Sequence, residues 1–280
     1  MRRMWKFAAV LLLMLPVFTA CDDDNDDNYY LGNNWMGYGN LEKTESQKGY
    51  MIRRDDGCGL VISSGVTPSQ VEENNGKRIY AEYTVLGNAW ENNNSLDAPM
   101  NYYVHLNYLR EVLCKNPVKQ SFIDEKKEHR TDSIGNDPIN VQRAWFGGKY
   151  LNVEFKIPVK ENSSTKHFIN LVQDDITLHN DSVYITLHHN AYGETPDKNK
   201  CYWSFGQVSF DLTSIVPADQ TSVPVKLIWT EYSKNSSEKI NKSDSGTYTL
   251  KKSNTPKTAS GLNQGDSRTK ITTQEVLDIE

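Results

Sequence analysis

A chain of 280 residues with net charge −5 and a pI near 5.7 carries no basic excess. Phosphate binding needs a basic face, so nucleic acid is excluded as an expected partner. Hydrophobic residues are 37% of the chain, aromatics are led by 15 Tyr and 6 Trp, and the mean hydropathy is −0.66, a balance that suits β-structure with much loop and surface.

The chain opens on a short basic stretch, Met1-Arg-Arg-Met-Trp-Lys6, followed by an apolar run from Phe7 to Phe18. That run is too short to cross a hydrocarbon core of roughly 30 Å and fits the hydrophobic region of a signal peptide. Phe18-Thr-Ala-Cys21 resembles the lipobox of bacterial lipoproteins, in which the cysteine receives diacylglycerol. Cleavage is therefore expected after residue 20, with lipidation at Cys21. Asp22-Asp-Asp-Asn-Asp-Asp-Asn28 is a self-repelling, solvated tether. It also resembles the signal that sends lipoproteins of Bacteroides-type bacteria to the cell surface. The expectation is an outer-membrane, lipid-anchored protein displayed outside, with residues 21–34 as tether. No second apolar segment is long enough to span, so lipid is the expected membrane contact.

Residues 35–118 are expected to form a small barrel of the OB kind. Tyr50-Met-Ile-Arg-Arg54 and Gly59-Leu-Val-Ile-Ser63 flank Asp55-Asp56-Gly57, a hairpin signal. In Lys77–Leu86 the residues Ile79, Ala81, Tyr83 and Val85 share one face, and Met100–Leu109 supplies another strand. Residues 119–135, rich in charge, read as a linker with room for a short helix.

Residues 136–235 alternate through several strands. Leu151, Val153, Phe155 and Ile157 face in, while Asn152, Glu154 and Lys156 face out. Val183, Ile185 and Leu187 face in likewise. One-face alternation across successive strands predicts an antiparallel β-sandwich. The fold class is thus all-β. Residues 236–280, with Tyr248 as their one aromatic, read as a polar, mostly disordered tail with an edge strand near 247–250.

The order of lipobox, acidic spacer, small barrel and sandwich, with Asp137-Pro-Ile, Tyr150-Leu-Asn-Val-Glu-Phe155, Leu187-His-His-Asn190 and Val208-Ser-Phe-Asp-Leu212, resembles the NigD-like lipoproteins of Bacteroidales. The likeness runs over residues 1–235. It implies an N-terminal OB-like domain and a C-terminal β-sandwich, and it brings no catalytic residues.

Asp174, Asp175, His179, His188 and His189 form the densest group of ionisable residues. A metal site needs three or four of them to converge, but alternation sends His188 outward and His189 inward, so no metal and no cofactor is expected. The adjacent pairs Asp55-Asp56 and Asp174-Asp175 suit turns better than glycosidic cleavage. No GxSxG, HExxH or P-loop pattern occurs, and a non-enzymatic binding or interaction module is expected. Its partner would be a glycan or an envelope protein; a structural or accessory subunit of an envelope or bacteriocin-associated complex is the alternative, with a polysaccharide hydrolase behind both. Among Trp35, Trp90, Tyr102, Tyr103, Trp145, Tyr192, Tyr202 and Trp203, Trp90 is the ring expected to face a ligand, because it precedes the turn-like Glu91-Asn-Asn-Asn-Ser95. Asp132-Ser133-Ile134 and Asp181-Ser182-Val183 resemble the O-glycosylation triplet of Bacteroides-type envelopes, which marks Ser133 and Ser182. Cys58 and Cys114 could pair, although a reduced, buried thiol is the favoured state of Cys58, Cys114 and Cys201.

Lipid anchoring has a direct test. A Cys21→Ala form expressed in a lipoprotein-exporting host is expected to wash off membranes that retain the parent chain; equal retention of both would remove the lipid from the account.

Overall fold

The computed structural model describes residues 34–44, 49–89, 101–125, 134–175, 181–195, 200–216, 220–233 and 238–249. Cys21, Trp90 and Ser133 lie outside them. Five strands close the expected barrel: β1 (Asn34–Thr44), β2 (Gly49–Arg54), β3 (Gly59–Ser64), β4 (Arg78–Ala89) and β5 (Asn101–Glu111), in the order β1-β2-β3-β5-β4. β3 and β5 run parallel, the other pairs antiparallel. A parallel neighbour needs a crossover, and α1 (Pro68–Glu73) lies between β3 and β4. Thr67 caps that helix in a capping box with Gln70, Pro68 fixes its first turn, and Val71 joins the barrel core. The core is the face read from alternation: Leu41, Ile52, Leu60, Ile79, Ala81, Tyr83, Val104 and Leu106.

The chain does not leave the barrel through a plain linker. After Val112 it forms β6 (Leu113–Lys115) and β7 (Val118–Lys119), then α2 (Gln120–Asp124). β6 pairs parallel with β12 (Cys201–Asp211), and β7 pairs parallel with β10 (Phe168–Gln173). The connection thus puts one short strand into each sheet of the sandwich, and the sandwich starts well before residue 136. One sheet has the order β6-β12-β9-β8, with β8 Asn140–Gly147 and β9 Tyr150–Lys160. The other is β14-β13-β11-β10-β7, with β11 Val183–Asn190, β13 Ser222–Tyr232 and β14 Lys239–Thr249. Within this sandwich the β11–β13 pair is also parallel. Leu151, Val153, Phe155, Ile157, Val183, Ile185 and Leu187 all sit in its core, as alternation predicts.

The sandwich also ends later than expected. β14 spans 11 residues of the segment read as a tail. Tyr248 is fully buried against Phe146, with ring centroids 5.5 Å apart. One aromatic suffices because β14 is an edge strand, and its Lys, Asn, Ser and Asp side chains blunt that edge against further pairing.

The outward face of β9 and β12 is a second departure. Asn152 and Glu154 do point away from the sandwich core, yet both are buried, together with Gln207 and Ser209. The barrel covers them. Arg78, at the start of β4, projects its fully buried guanidinium into this joint. Its Nη1 and Nη2 donate to the two oxygens of Asp55 at 2.6 Å each, Nη2 also donates to Asn152 Oδ1 at 2.9 Å, and Nε donates to Ser209 Oγ at 3.3 Å. The Tyr150 ring covers the cation at 4.2 Å. Burial opposes the charge, but Asp55 outweighs it and holds the guanidinium more firmly protonated than usual. Beside it the Tyr38 hydroxyl donates to Glu154 Oε1 at 2.9 Å, and Tyr38 meets Trp145 edge-on at 5.2 Å. Burial pushes the Glu154 carboxyl up, against the hydrogen bonds from Tyr38 and Gln207. Gly147 closes the joint: a Cβ there would collide with the Asp55 carboxylate and Asn152.

Breaking one partner of a buried ion pair costs about 3–5 kcal/mol. Arg78→Met is therefore expected to lower unfolding free energy by that amount in urea titration. Asp55→Asn leaves the guanidinium buried without its counter-ion and should cost a similar amount, and the double variant should show coupling of more than about 1 kcal/mol. Additivity of the two single effects would contradict the joint described.

Candidate functional site at the end of the sandwich

β9 and β11 finish, and β10 and β12 begin, at one end of the sandwich, as the pairs Lys160↔Cys201 and Phe168↔Asn190 fix. The turn after β11 is unusual. Tyr192 has φ +49° and Gly193 φ +85°, and a left-handed conformation is uncommon for an aromatic residue. Local bonds hold it there: Ala191 N donates to Asp137 Oδ2 at 2.8 Å and Tyr192 N to Asn190 Oδ1 at 2.9 Å. Tyr192 is 53% exposed, and Tyr202 and Trp203 at the start of β12 are 48% and 47% exposed. β6 pairs only with Val208–Phe210 of β12, so those two rings precede the stretch it covers. Trp203 shares the barrel-facing side of β12 with Gln207 and Ser209 but lies beyond their covered stretch.

Beneath this aromatic end runs a line of buried polar groups. Ser163 Oγ donates to Glu194 Oε1, and Lys160 N donates to Glu194 Oε2 at 3.2 Å. Glu194 Oε2 meets His167 Nε2 at 3.2 Å, His167 Nδ1 meets His189 Nε2 at 2.9 Å, and His189 Nδ1 meets Pro138 O at 3.0 Å. The two imidazoles are stacked, 5.1 Å apart, and fully buried. Pro138 O can only accept, so His189 Nδ1 carries a hydrogen. Between the imidazoles one ring nitrogen donates and the other accepts, and His167 Nε2 lies against the Glu194 carboxylate.

The electrostatics follow. Burial opposes ionisation of Glu194, but hydrogen bonds from Ser163, His167, Lys160 and Thr165 outweigh it and hold its pKa at about 2. Burial and the neighbouring His167 push His189 down to about 4. His188, half-buried on the opposite face, is lowered by burial and bonds to Gly135 O at 2.8 Å.

Of the ionisable residues grouped by sequence, the described ones do not converge on one point. Asp174 and Asp175 follow the far end of β10, where Asp175 accepts from Ser121 Oγ at 2.8 Å, and His179 lies outside the described residues. His188 and His189 point to opposite faces, as alternation predicts. Asp55 is committed to Arg78, and Asp56 accepts from Cys58 N at 2.9 Å in its turn. Trp145 is buried in the joint, Trp35 and Tyr102 pack on the barrel core, and Tyr103 is exposed elsewhere on β5. Ser182 is half-buried beside Asp181, at the start of β11. Cys58, Cys114 and Cys201 form no disulfide, and Cys114 is exposed rather than buried; the first lies in the β2–β3 hairpin, the second in the sandwich. Sequence reading missed His167 and Glu194. His167 immediately precedes β10, two residues before Ile169, which pairs with His189, so the two histidines come together only once the register is known.

Three groups here make stability fall in acid: His188 and His189, held down by burial, and Glu194. The folded state keeps His189 neutral while the unfolded chain takes up a proton near 6.5, so stability is full above that pH and declines toward 4. Glu194 is ionised in the fold down to about 2, so its contribution is present above 4.5 and is lost below it. Urea midpoints should drop between pH 7 and 4 and drop further toward pH 2. Glu194→Gln should lower the midpoint at pH 7 and flatten the decline below 4.5; a midpoint constant from pH 7 to 4 would refute the assignment.

Residues 121–242 match the NigD-like C-terminal beta sandwich domain family. Among solved structures, a protein of unknown function from Bacteroides vulgatus shares the fold at a TM-score of 0.57 and 20% identity, covering 84% of this chain and 98% of its own. A NigD-like immunity protein from Bacteroides caccae aligns at 0.51 and 20%, covering 75% and 90%. A protein described as a lipoprotein from Bacteroides fragilis aligns at 0.51 and 12%, covering 78% and 99%. No curated protein matches the sequence significantly. Among the described residues no helix is long and apolar enough to cross a membrane. Behind a closed five-stranded barrel, the sandwich of this chain thus carries the match to the NigD-like C-terminal beta sandwich domain family.

Proposed function

We propose that the mature chain is a non-catalytic binding protein, anchored to the outer membrane through lipid on Cys21 and displayed at the cell surface. The observation that carries the binding reading is the exposure of Tyr192, Tyr202 and Trp203 at one end of a sandwich whose backbone is pinned beneath them. Flat rings on a rigid support stack on the apolar faces of sugars or anchor a protein contact at low entropy cost. Left-handed backbone at an exposed aromatic is the kind of local strain that collects at binding positions. The anchor is supported by the signal-like N-terminus and by the likeness to a protein described as a lipoprotein. The non-catalytic reading rests on the use of the buried carboxylates and histidines as structural ties.

The likeness to a NigD-like immunity protein favours a second reading, an accessory role in which the partner is another protein. One experiment separates the two. The soluble chain from Cys21→Ala is applied to a glycan array and, in parallel, to crosslinked envelope extracts. Glycan binding weakened at least about tenfold by Tyr192→Ala or Trp203→Ala supports the first reading. A stable protein partner lost with the same substitutions supports the second. Loss with Trp90→Ala alone would move the site to the barrel, and binding insensitive to all three would refute the aromatic site.

A further inference from the structure

The Glu194–His167–His189–Pro138 line joins four stretches of chain in that order. Glu194 belongs to the turn that carries Tyr192, His167 lies immediately before β10, His189 belongs to β11, and Pro138 follows residues 135–137. The outer two segments are tied to each other and to β11 as well. Asp137 N donates to His189 O at 2.8 Å, Ala191 N donates to Asp137 Oδ2, and Glu194 N donates to Ala191 O at 2.9 Å. Each imidazole has its outer nitrogen occupied, so the inner nitrogens have only each other.

We propose that this histidine pair is a proton-operated latch: it closes the end of the sandwich while it holds one proton between its rings, and a second proton there releases residues 135–138 and 190–195. Two protonated imidazoles would bring N–H against N–H at a separation of 2.9 Å, with both rings buried and, among the described residues, no other hydrogen-bond partner at either inner nitrogen. The rings then have to part, and the segments they tie part with them. Other charged groups face this point from each packed element: Glu194 from the turn; Lys160 and Glu161, which pairs with Lys200, from the end of β9 and the start of β12; Asp137, with Lys239 of β14 at 3.5 Å, from the 135–138 segment; and Cys201 beside Glu194. Asp137 attracts charge onto His189 but burial and His167 oppose it more strongly. Release would also free Tyr192 from its left-handed conformation. The latch stands on the hydrogen bonds alone; that it governs a ligand rests on the binding reading above.

Hydrogen exchange of the full chain tests it, with rates corrected for the intrinsic effect of pH. Opening gains a factor of ten per pH unit between the ordinary histidine value of 6.5 and about 4. Amides 137, 191, 192 and 194 should exchange about a hundredfold faster at pH 4.5 than at 6.5, while the barrel residues 49–89 stay protected. His189→Gln, which cannot take the proton, should abolish the acceleration, and His105→Gln, whose ring bonds Ser64 in the barrel, should leave it intact. Should His189→Gln not fold, the wild-type His189 ring resonance must titrate together with the exchange. Uniform opening of barrel and sandwich, or protection of these amides down to global unfolding, overturns the latch. Either result leaves the glycan and partner assays unaffected, so the two readings fail separately.

Discussion

A guanidinium with no exposed surface sits where the two halves of this protein meet, and the arrangement of the halves depends on it. Removing Arg78 from water is costly, and a lone buried charge would not survive. Its donors are matched by Asp55 on the barrel hairpin, Asn152 on β9 and Ser209 on β12, and Tyr150 covers its face. A greasy joint could slide by a residue with little penalty. A bidentate ion pair with two further acceptors on neighbouring strands has one satisfactory geometry. Its contribution is orientation more than net energy, since well-packed hydrophobic residues can match a buried pair in stability.

Period-two alternation identified the inner faces of both halves because those faces are apolar without interruption. It could not identify what covers an outer face. Asn152 and Glu154 read as solvent-facing because polarity on a strand normally means water; here it means a neighbouring domain with its own polar groups. β6 and β7 escaped because strands of three and two residues have no period to detect. β14 escaped because an edge strand needs only one core residue, and Tyr248 amid polar neighbours resembles loop composition. His167 and His189 are 22 positions apart, and only the β10–β11 register brings their rings together. Asp55 was legible as a turn residue but not as the counter-ion of Arg78, 23 positions on.

The far end of the sandwich solves the same problem of buried polarity by other means. Its turns leave several backbone donors facing inward, and Asp137, Asn190 and Glu194 accept them. Such acceptors could be supplied by serines or carbonyls with no charge at all. Using a carboxylate obliges the fold to supply a cation or several donors, and His167 with His189 meets that demand without a lysine or arginine in the core.

That choice sets the histidine line apart from the Arg78 guanidinium in its response to protons. The Arg78 guanidinium keeps its charge at any pH the protein could meet, although burial pushes the neighbouring Glu154 carboxyl up. The histidine line holds a charge that depends on the medium, because imidazole is the side chain whose protonation changes near neutrality. Exposed Tyr192, Tyr202 and Trp203 lie at the same end of the sandwich as that line. A surface whose backbone is tied through titratable imidazoles answers to the medium in a way that a surface tied through a guanidinium does not.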